Sequence, residues 1–316
     1  APLHRRALGG GHDLTRRLLL SCPADSFPRL STQLPMGRCA CLIVGPAGCG
    51  KSTFCSLLHE HCETLHRQVH VVNLDPAAEH FSYPVACDIR ELISLEDVMS
   101  ELKLGPNGGL IYAMEYLVDN VDWLEDEMED LGEDSYVLFD CPGQIELYSH
   151  VPAMRHLIDA LQRMRFRVCA LYLLDAQFVA DVSKFVSGVL CCLSAMTALE
   201  LPHVSVLSKC DLLPSRVALD EFLEADTSSL SDRLRQGTRP QFYKLNNAIC
   251  NLIDEWNMVQ FLPLNPKDMD SLDIILQQVS GYYLPTEGIR YTNSKRENVW
   301  SLAQPTCSGR QCNSIP

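Results

Sequence analysis

Apolar residues along this chain gather in short, nearly unbroken runs: "CACLIV" (39–44), "VHVVNL" (69–74), "YVLFD" (136–140), "VCALYLLD" (168–175), "HVSVLS" (203–208) and "MVQFLPL" (258–264). The stretches between them are longer, and their apolar positions recur at helical spacing. Helices are predicted to begin at Ser52, Ser94, Gly109, Tyr148, Phe178, Arg216, Gln241 and Ser271. Strands that are apolar throughout, spaced by helices, are what a parallel sheet covered on both faces requires. The expected fold class is therefore α/β, a doubly wound and mostly parallel sheet.

Two stretches refine this pattern. Residues 115–134, "EYLVDNVDWLEDEMEDLGED", hold ten acidic side chains and no basic one, yet Leu117, Val121, Leu124, Met128 and Leu131 keep a helical period. That reads as one helix with a solvated acidic face, or as a dock for a basic partner. The strip "SGVLCCLSAMTALELP" (187–202) is apolar on most sides and suits a helix covering the sheet or a dimer surface.

Charge excludes some functions. The net charge of −14 is uneven: residues 1–38 carry six basic and two acidic side chains, residues 286–316 four and two, so the segment between holds −20. Such a body repels phosphate backbones and anionic lipid, so neither direct nucleic-acid binding nor membrane docking is expected. No run approaches the roughly 18 uninterrupted apolar residues of a membrane span. Fifteen cysteines are scattered through the chain, several inside apolar strands, and read as reduced and mostly buried.

The ends differ from the body. Residues 1–35 are rich in Arg, Ser and Pro. They are expected to be disordered or artefactual, a reading frame extended upstream of a true start at Met36, with a mitochondrial transit peptide as the alternative. Residues 286–316 lose periodicity and read as a disordered tail, leaving 36–285 as the folded domain.

"GPAGCGKS", Gly45 to Ser52, fits G-x-x-x-x-G-K-[ST] between a predicted strand and a predicted helix. Chance would supply only about 0.01 such matches in a chain of this length. Glycines let backbone N–H groups curl around phosphates, the helix offers its positive end, Lys51 can reach the β and γ phosphates, and the Ser52 hydroxyl is placed for magnesium.

In a doubly wound sheet, ligands gather outside the carboxyl ends of the strands. Asp75, Asp140 and Asp211 lie there, in "NLDPAAE", "FDCPGQIE" and "SKCD". Asp140 with Pro142 and Gly143 looks like a segment that senses the γ phosphate, and Gln144 stands where an attacking water would be oriented. "SKCD" (208–211) resembles the guanine-reading N-K-x-D element, with Ser208 in place of Asn. Guanine is favoured over adenine because adenine cannot satisfy the aspartate.

Together "GPAGCGKST", "VVNLDPAAE", "GPNGGL", "DCPGQIELY" and "SKCD" resemble the GPN-loop GTPases, and "AAEHFSYPVACDIRELI" with "FLPL" look most like the third eukaryotic member of that family. The resemblance runs from about Met36 to Leu284. It implies a dimeric P-loop fold related to signal-recognition-particle and MinD-type proteins, with GTP and Mg2+ bound. Phosphate contacts would come from Gly45, Gly48, Cys49, Gly50, Lys51, Thr53 and Gly143, and magnesium would be held by Ser52 with Asp140 in its outer shell. Asp75 and Gln144 would position water. Ser208, Lys209 and Asp211 would hold guanine, with Pro263 and Leu264 lining the base pocket. Cys49 would contribute its backbone N–H, and an exposed thiol there would be open to oxidation.

By the same resemblance, the stiff turn Gly105-Pro106-Asn107 would reach into the site of a second subunit, in a homodimer or a heterodimer with a sibling. Pro106 fixes φ and Gly105 tolerates unusual dihedrals, so the turn is preorganised. The implied role is assembly and nuclear import of RNA polymerase II through contacts with its subunits, by a cytoplasmic protein that shuttles to the nucleus. An adaptor held in shape by nucleotide, with little turnover, is the second reading, and an ATP-using small-molecule kinase the third. His59, Cys62 and His66 share a helical face but read as packing rather than zinc ligation, and Cys39 and Cys41 as same-face packing in a strand.

Overall fold

The computed structural model describes residues 37–283 apart from 133–134, 214–218, 220–226 and 256–259. The expected extensions, 1–35 and 286–316, and the helix expected from Arg216 lie outside the described residues. The elements run β1 (Cys39–Val44), α1 (Lys51–Thr64), β2 (Val69–Asn73), β3 (Val85–Asp88), α2 (Leu95–Leu102), α3 (Pro106–Asp119), α4 (Val121–Glu129) and β4 (Tyr136–Asp140). They continue with α5 (Ile145–Ser149), α6 (Ala153–Arg163), β5 (Arg167–Asp175), α7 (Val182–Leu199), β6 (His203–Ser208), α8 (Thr227–Gly237), α9 (Tyr243–Glu255), β7 (Phe261–Pro263) and α10 (Met269–Tyr283).

All seven strands pair in parallel, in the order β3-β2-β4-β1-β5-β6-β7. β1 is central and fully buried, and strand alternation divides its side chains between two cores. Cys39, Cys41 and Ile43 join one core with Phe54, Leu58 and Cys62 of α1 and Leu272, Ile275 and Val279 of α10. Ala40, Leu42 and Val44 join the other, with residues of α3, α4, α6 and α7. The doubly wound class holds, and so does the shared face of Cys39 and Cys41.

The strand absent from the sequence reading is β3. It has four residues, sits at the sheet edge, and pairs with β2 across a register shift at Val71/Val72. Its half-exposed "VACD" follows a proline, so it carries none of the continuous apolar signal of the central strands.

The acidic segment is two helices rather than one. Asn120 leaves helical dihedrals (φ −115°, ψ 40°), and its side-chain amide donates to the Tyr116 carbonyl at 2.8 Å, ending α3 and starting α4. Leu117, Leu124 and Met128 are fully buried, which is what holds an otherwise acidic segment on the sheet. α7 is long and apolar enough to cross a membrane by length and composition. Here Phe185, Val186, Val189, Cys192 and Leu199 on one face pack into the core over the sheet.

The helical-face grouping of His59, Cys62 and His66 fails for a simple reason: α1 stops at Thr64, and His66 lies beyond it at φ 55°, while Cys62 points into the core. None of the twelve described cysteines forms a disulfide, and ten of them are buried.

Leu124→Ala should lower the unfolding free energy by about 2–5 kcal/mol, since it empties a core position. Asp126→Asn, on the exposed face of the same helix, should change it by less than about 0.5 kcal/mol. Urea denaturation of the two variants beside the parent distinguishes a helix held by its apolar stripe from one held by its charges.

Candidate functional site

Between β1 and α1 the backbone follows a path that only glycine permits. Gly45 lies at φ 145°, and a Cβ there would overlap the carbonyl oxygen of Leu173 in β5. Gly48 and Gly50 lie at φ 76° and 91°, and Gly50 is the residue from which α1 springs. Such a path at the positive end of a helix suits a phosphate, although the Cys49 N–H expected to contact it donates to the Pro46 carbonyl at 3.3 Å. Lys51 is buried, and its Nζ donates to the carbonyls of Gly45 (3.2 Å) and Pro46 (3.3 Å), lying across the loop that precedes it. Ser52 and Thr53 are exposed in the first turn of α1.

The Cys49 side chain is covered rather than open to oxidation. It is only 2% exposed, and burial pushes its thiol up to about 11 despite the opposing charges of Lys51 and Lys209. A thiol held protonated and covered is a packing group and not an oxidation site.

Asp140, at the end of β4, is 2% exposed. Burial raises its pKa, while hydrogen bonds from Ser52 and Tyr83 and the charge of Lys51 oppose the rise. The Tyr83 hydroxyl donates to its Oδ2 at 2.7 Å. Asp75 follows β2 and is held at both backbone atoms by Asn73, whose Oδ1 accepts the Asp75 N–H and whose amide donates to the Asp75 carbonyl, each at 3.0 Å. Its charge adds to the upward pressure on Asp140.

After Asp140 the chain is pressed against the phosphate loop. A Cβ on Gly143 would lie 2.7 Å from the Cα of Ala47, so only glycine fits. Gln144 follows immediately and opens α5, while the Tyr148 hydroxyl donates to the Pro142 carbonyl and closes the turn. The position expected for orienting water is thus carried to the loop by backbone contact.

The end of β6 completes the cleft. The Ser208 hydroxyl lies 2.6 Å from the Cys49 carbonyl and 3.2 Å from that of Leu174. Serine therefore ties the segment expected to read the base to the phosphate loop, where the related element carries asparagine. Lys209, at φ 58°, extends back over the loop, its Nζ donating to the Gly48 carbonyl at 2.5 Å and to Asp175 Oδ2 at 2.8 Å. The Asp211 carboxylate is 3.6 Å from Lys267 Nζ. Leu264 donates its N–H to the Leu207 carbonyl and accepts from Cys210, stitching Pro263 and Leu264 to the same segment.

A protein-family profile described as "Conserved hypothetical ATP binding protein" matches residues 43–283. The chain is 49% identical over 247 residues to "GPN-loop GTPase 3" of Dictyostelium discoideum, covering 77% of this chain and 86% of that one. It is 52% identical to the protein of the same name in Kluyveromyces lactis (77% and 91% covered) and 49% identical to that of Saccharomyces cerevisiae (80% and 95%). The chain belongs to the GPN-loop GTPase family. Among solved structures, an apo-form GTPase from Pyrococcus abyssi shares the fold, with a TM-score of 0.64 at 23% identity over 78% of this chain and 97% of that one.

The turn from which the GPN-loop family takes its name is not a free-standing loop here. Pro106 is the first residue of α3 and Gly105 its cap, so Asn107 lies in the first helical turn, two residues ahead of the expected helix start. Proline suits that position because its missing N–H would have no helical partner there. Residues 101–107 are all exposed, and among the described residues no hydrogen bond joins Asn107 to the phosphate loop. The other expected site residues converge on the carboxyl ends of β1, β2, β4, β6 and β7.

Three further residues touch this cleft that no motif in the sequence marks. Asp175 ends the apolar run "VCALYLLD", a position as informative as Asp75 or Asp140, and it holds Lys209. Lys267 faces Asp211 from beyond β7. Tyr83 reaches Asp140 across 57 residues of sequence, and no local pattern announces such a contact.

Ser208→Ala should cost about 1–3 kcal/mol of stability, because it leaves a buried carbonyl without its donor, and it should weaken GTP binding, since the loop and the base-reading segment lose their tie. Thermal melts with and without nucleotide measure both effects.

Proposed function

We propose that this GPN-loop GTPase binds GTP with magnesium and hydrolyses it as a dimer, acting in assembly and nuclear import of RNA polymerase II. The observation that carries the nucleotide part is the joining of two segments to one phosphate loop: Gly143 against Ala47, and Ser208 and Lys209 on the Cys49 and Gly48 carbonyls. A phosphate cradle, a γ-phosphate-sensing segment and a base-reading segment are what phosphoryl transfer from a nucleoside triphosphate needs in one place. The family profile's description speaks of ATP and the relatives' names of GTP. The Ser208-Lys209-Cys210-Asp211 segment supports guanine, whose edge donates two hydrogen bonds to a carboxylate where adenine offers none of that pattern.

The metal site fits the chain. Ser52 and Asp140 offer hard oxygen donors already within hydrogen-bonding reach of each other, beside the ammonium of Lys51, and such donors suit magnesium. Ser52 would ligate the ion and Asp140 would hold one of its waters. When bound, the ion neutralises charge on the β and γ phosphates. The chain's own groups do the rest: Lys51 offsets charge on the same oxygens, and Gln144 and Asp75 orient the attacking water.

Dimerisation rests on the exposed 101–107 segment. Leu102 (46% exposed), Leu104, Tyr112 and Tyr116 leave apolar surface around Asn107, and the two tyrosine rings stack at 6.3 Å. A second subunit, identical or a sibling, would cover this surface and bring its own Asn107 to the phosphates. The role with RNA polymerase II subunits, in the cytoplasm and in passage to the nucleus, is carried by family likeness. The alternative is an adaptor, a dimer held in shape by nucleotide with little turnover of its own.

The hydrolysis rate per chain, measured with magnesium as protein concentration rises, should climb and then level off as subunits complete one another. A rate that is flat and negligible at every concentration would instead support the adaptor or a requirement for a sibling. Asp211→Asn should weaken GTP relative to xanthosine triphosphate by about 1–3 kcal/mol of preference. Equal binding of ATP and GTP by the parent protein would remove the guanine assignment.

A further inference from the structure

The segment between β2 and β3 is fastened at three successive residues, each to a different part of the molecule. Arg90 lies 4.6 Å over the Phe81 ring while its guanidinium donates to Asp88 Oδ2 and, at 2.8 Å, to the Ala78 carbonyl. The Ser82 carbonyl accepts from the Ser56 hydroxyl at 3.0 Å, and Ser56 stands one turn beyond Ser52 on α1. Tyr83, 6% exposed and tilted against Phe81, passes between α1 and the sheet to reach Asp140. Asp88 in turn accepts from the amide of Asn73, the side chain that holds the backbone of Asp75.

This arrangement does more than pack a loop. A buried carboxylate can rotate about its last bond, and a metal-bound water needs one particular orientation. A tyrosine hydroxyl on Oδ2 fixes that rotation and leaves the remaining lone pairs for Ser52 and a water. Phenylalanine would fill the same space without restraining the carboxylate. We infer that Tyr83 is a positioning residue for Asp140, setting the carboxylate for the hydrated magnesium of the nucleotide complex, with Phe81 and Ser82 anchoring the tyrosine in turn. This rests on the assignment of Asp140 to the magnesium shell.

The test uses the full chain, a fluorescent GDP analogue and magnesium. For parent, Tyr83→Phe and Asp140→Asn proteins, nucleotide affinity in EDTA is measured first, and then the free magnesium concentration that half-saturates the slowing of nucleotide release. Tyr83→Phe should raise that concentration about 5- to 20-fold while leaving affinity in EDTA within about twofold, in keeping with the 10- to 100-fold effects of losing a metal site's outer-shell partner. A purely structural role would weaken both measurements together.

If Asp140→Asn shifts the magnesium dependence and Tyr83→Phe does not, the tyrosine assignment falls alone. If neither shifts it, the metal-shell reading of Asp140 falls and takes the tyrosine with it. Should Tyr83→Phe fold poorly, 3-fluorotyrosine at position 83 gives an independent readout. Its 19F signal should move on adding magnesium to the nucleotide complex and stay put on adding nucleotide in EDTA, and a signal indifferent to magnesium overturns the inference.

Discussion

The site depends on backbone touching backbone. At Gly45 the chain lies against the Leu173 carbonyl, and at Gly143 against Ala47, both closer than any Cβ allows. These contacts lock the phosphate loop between the ends of β4 and β5, so its shape is inherited from the rigid sheet rather than from its own short sequence. A cradle formed this way needs little ordering when nucleotide arrives, which lowers the cost of binding. Glycine appears here because of what stands opposite it and not because the loop is loose.

Polar ties then set distances between segments that never meet in sequence. Ser208 and Lys209 fasten the end of β6 to two carbonyls of the phosphate loop, and Asp175 holds the lysine. A buried carbonyl without its donor is costly, so the Ser208 tie to the buried Cys49 carbonyl is maintained by the penalty for breaking it, whereas the Gly48 carbonyl is exposed and its tie rests on the charge of Lys209. At the rim of the cleft, Lys267 approaches Asp211 from an exposed position.

The legible part of this protein was the part written in local pattern. β1, β4 and β6 coincide with their apolar runs because buried parallel strands leave no room for polar interruptions. The phosphate loop was legible for a similar reason, since its glycines and Lys51 are fixed by chemistry at close spacing. What was missed has a common cause. The edge strand β3 is short and half exposed, the break at Asn120 comes from a side chain turning back on Tyr116, and Tyr83 and Asp175 act through partners far away in sequence. The helix beginning at Pro106 was placed three residues late because a proline among glycines looks like a turn until the helix behind it is seen.

Ten buried thiols among the described residues, none in a disulfide, give this fold an unusual relation to time. Folded, they are shielded, and burial keeps those of Cys49, Cys55, Cys141 and Cys192 protonated and unreactive. Each opening of the sheet bares several at once, including Cys41 and Cys169, which face each other in register on adjacent strands. A chain that opens in an oxidising medium can be captured by cross-linking before it closes, so its lifetime there is set by how often it opens rather than by how stable it is at equilibrium. In a reducing medium the same openings heal without trace.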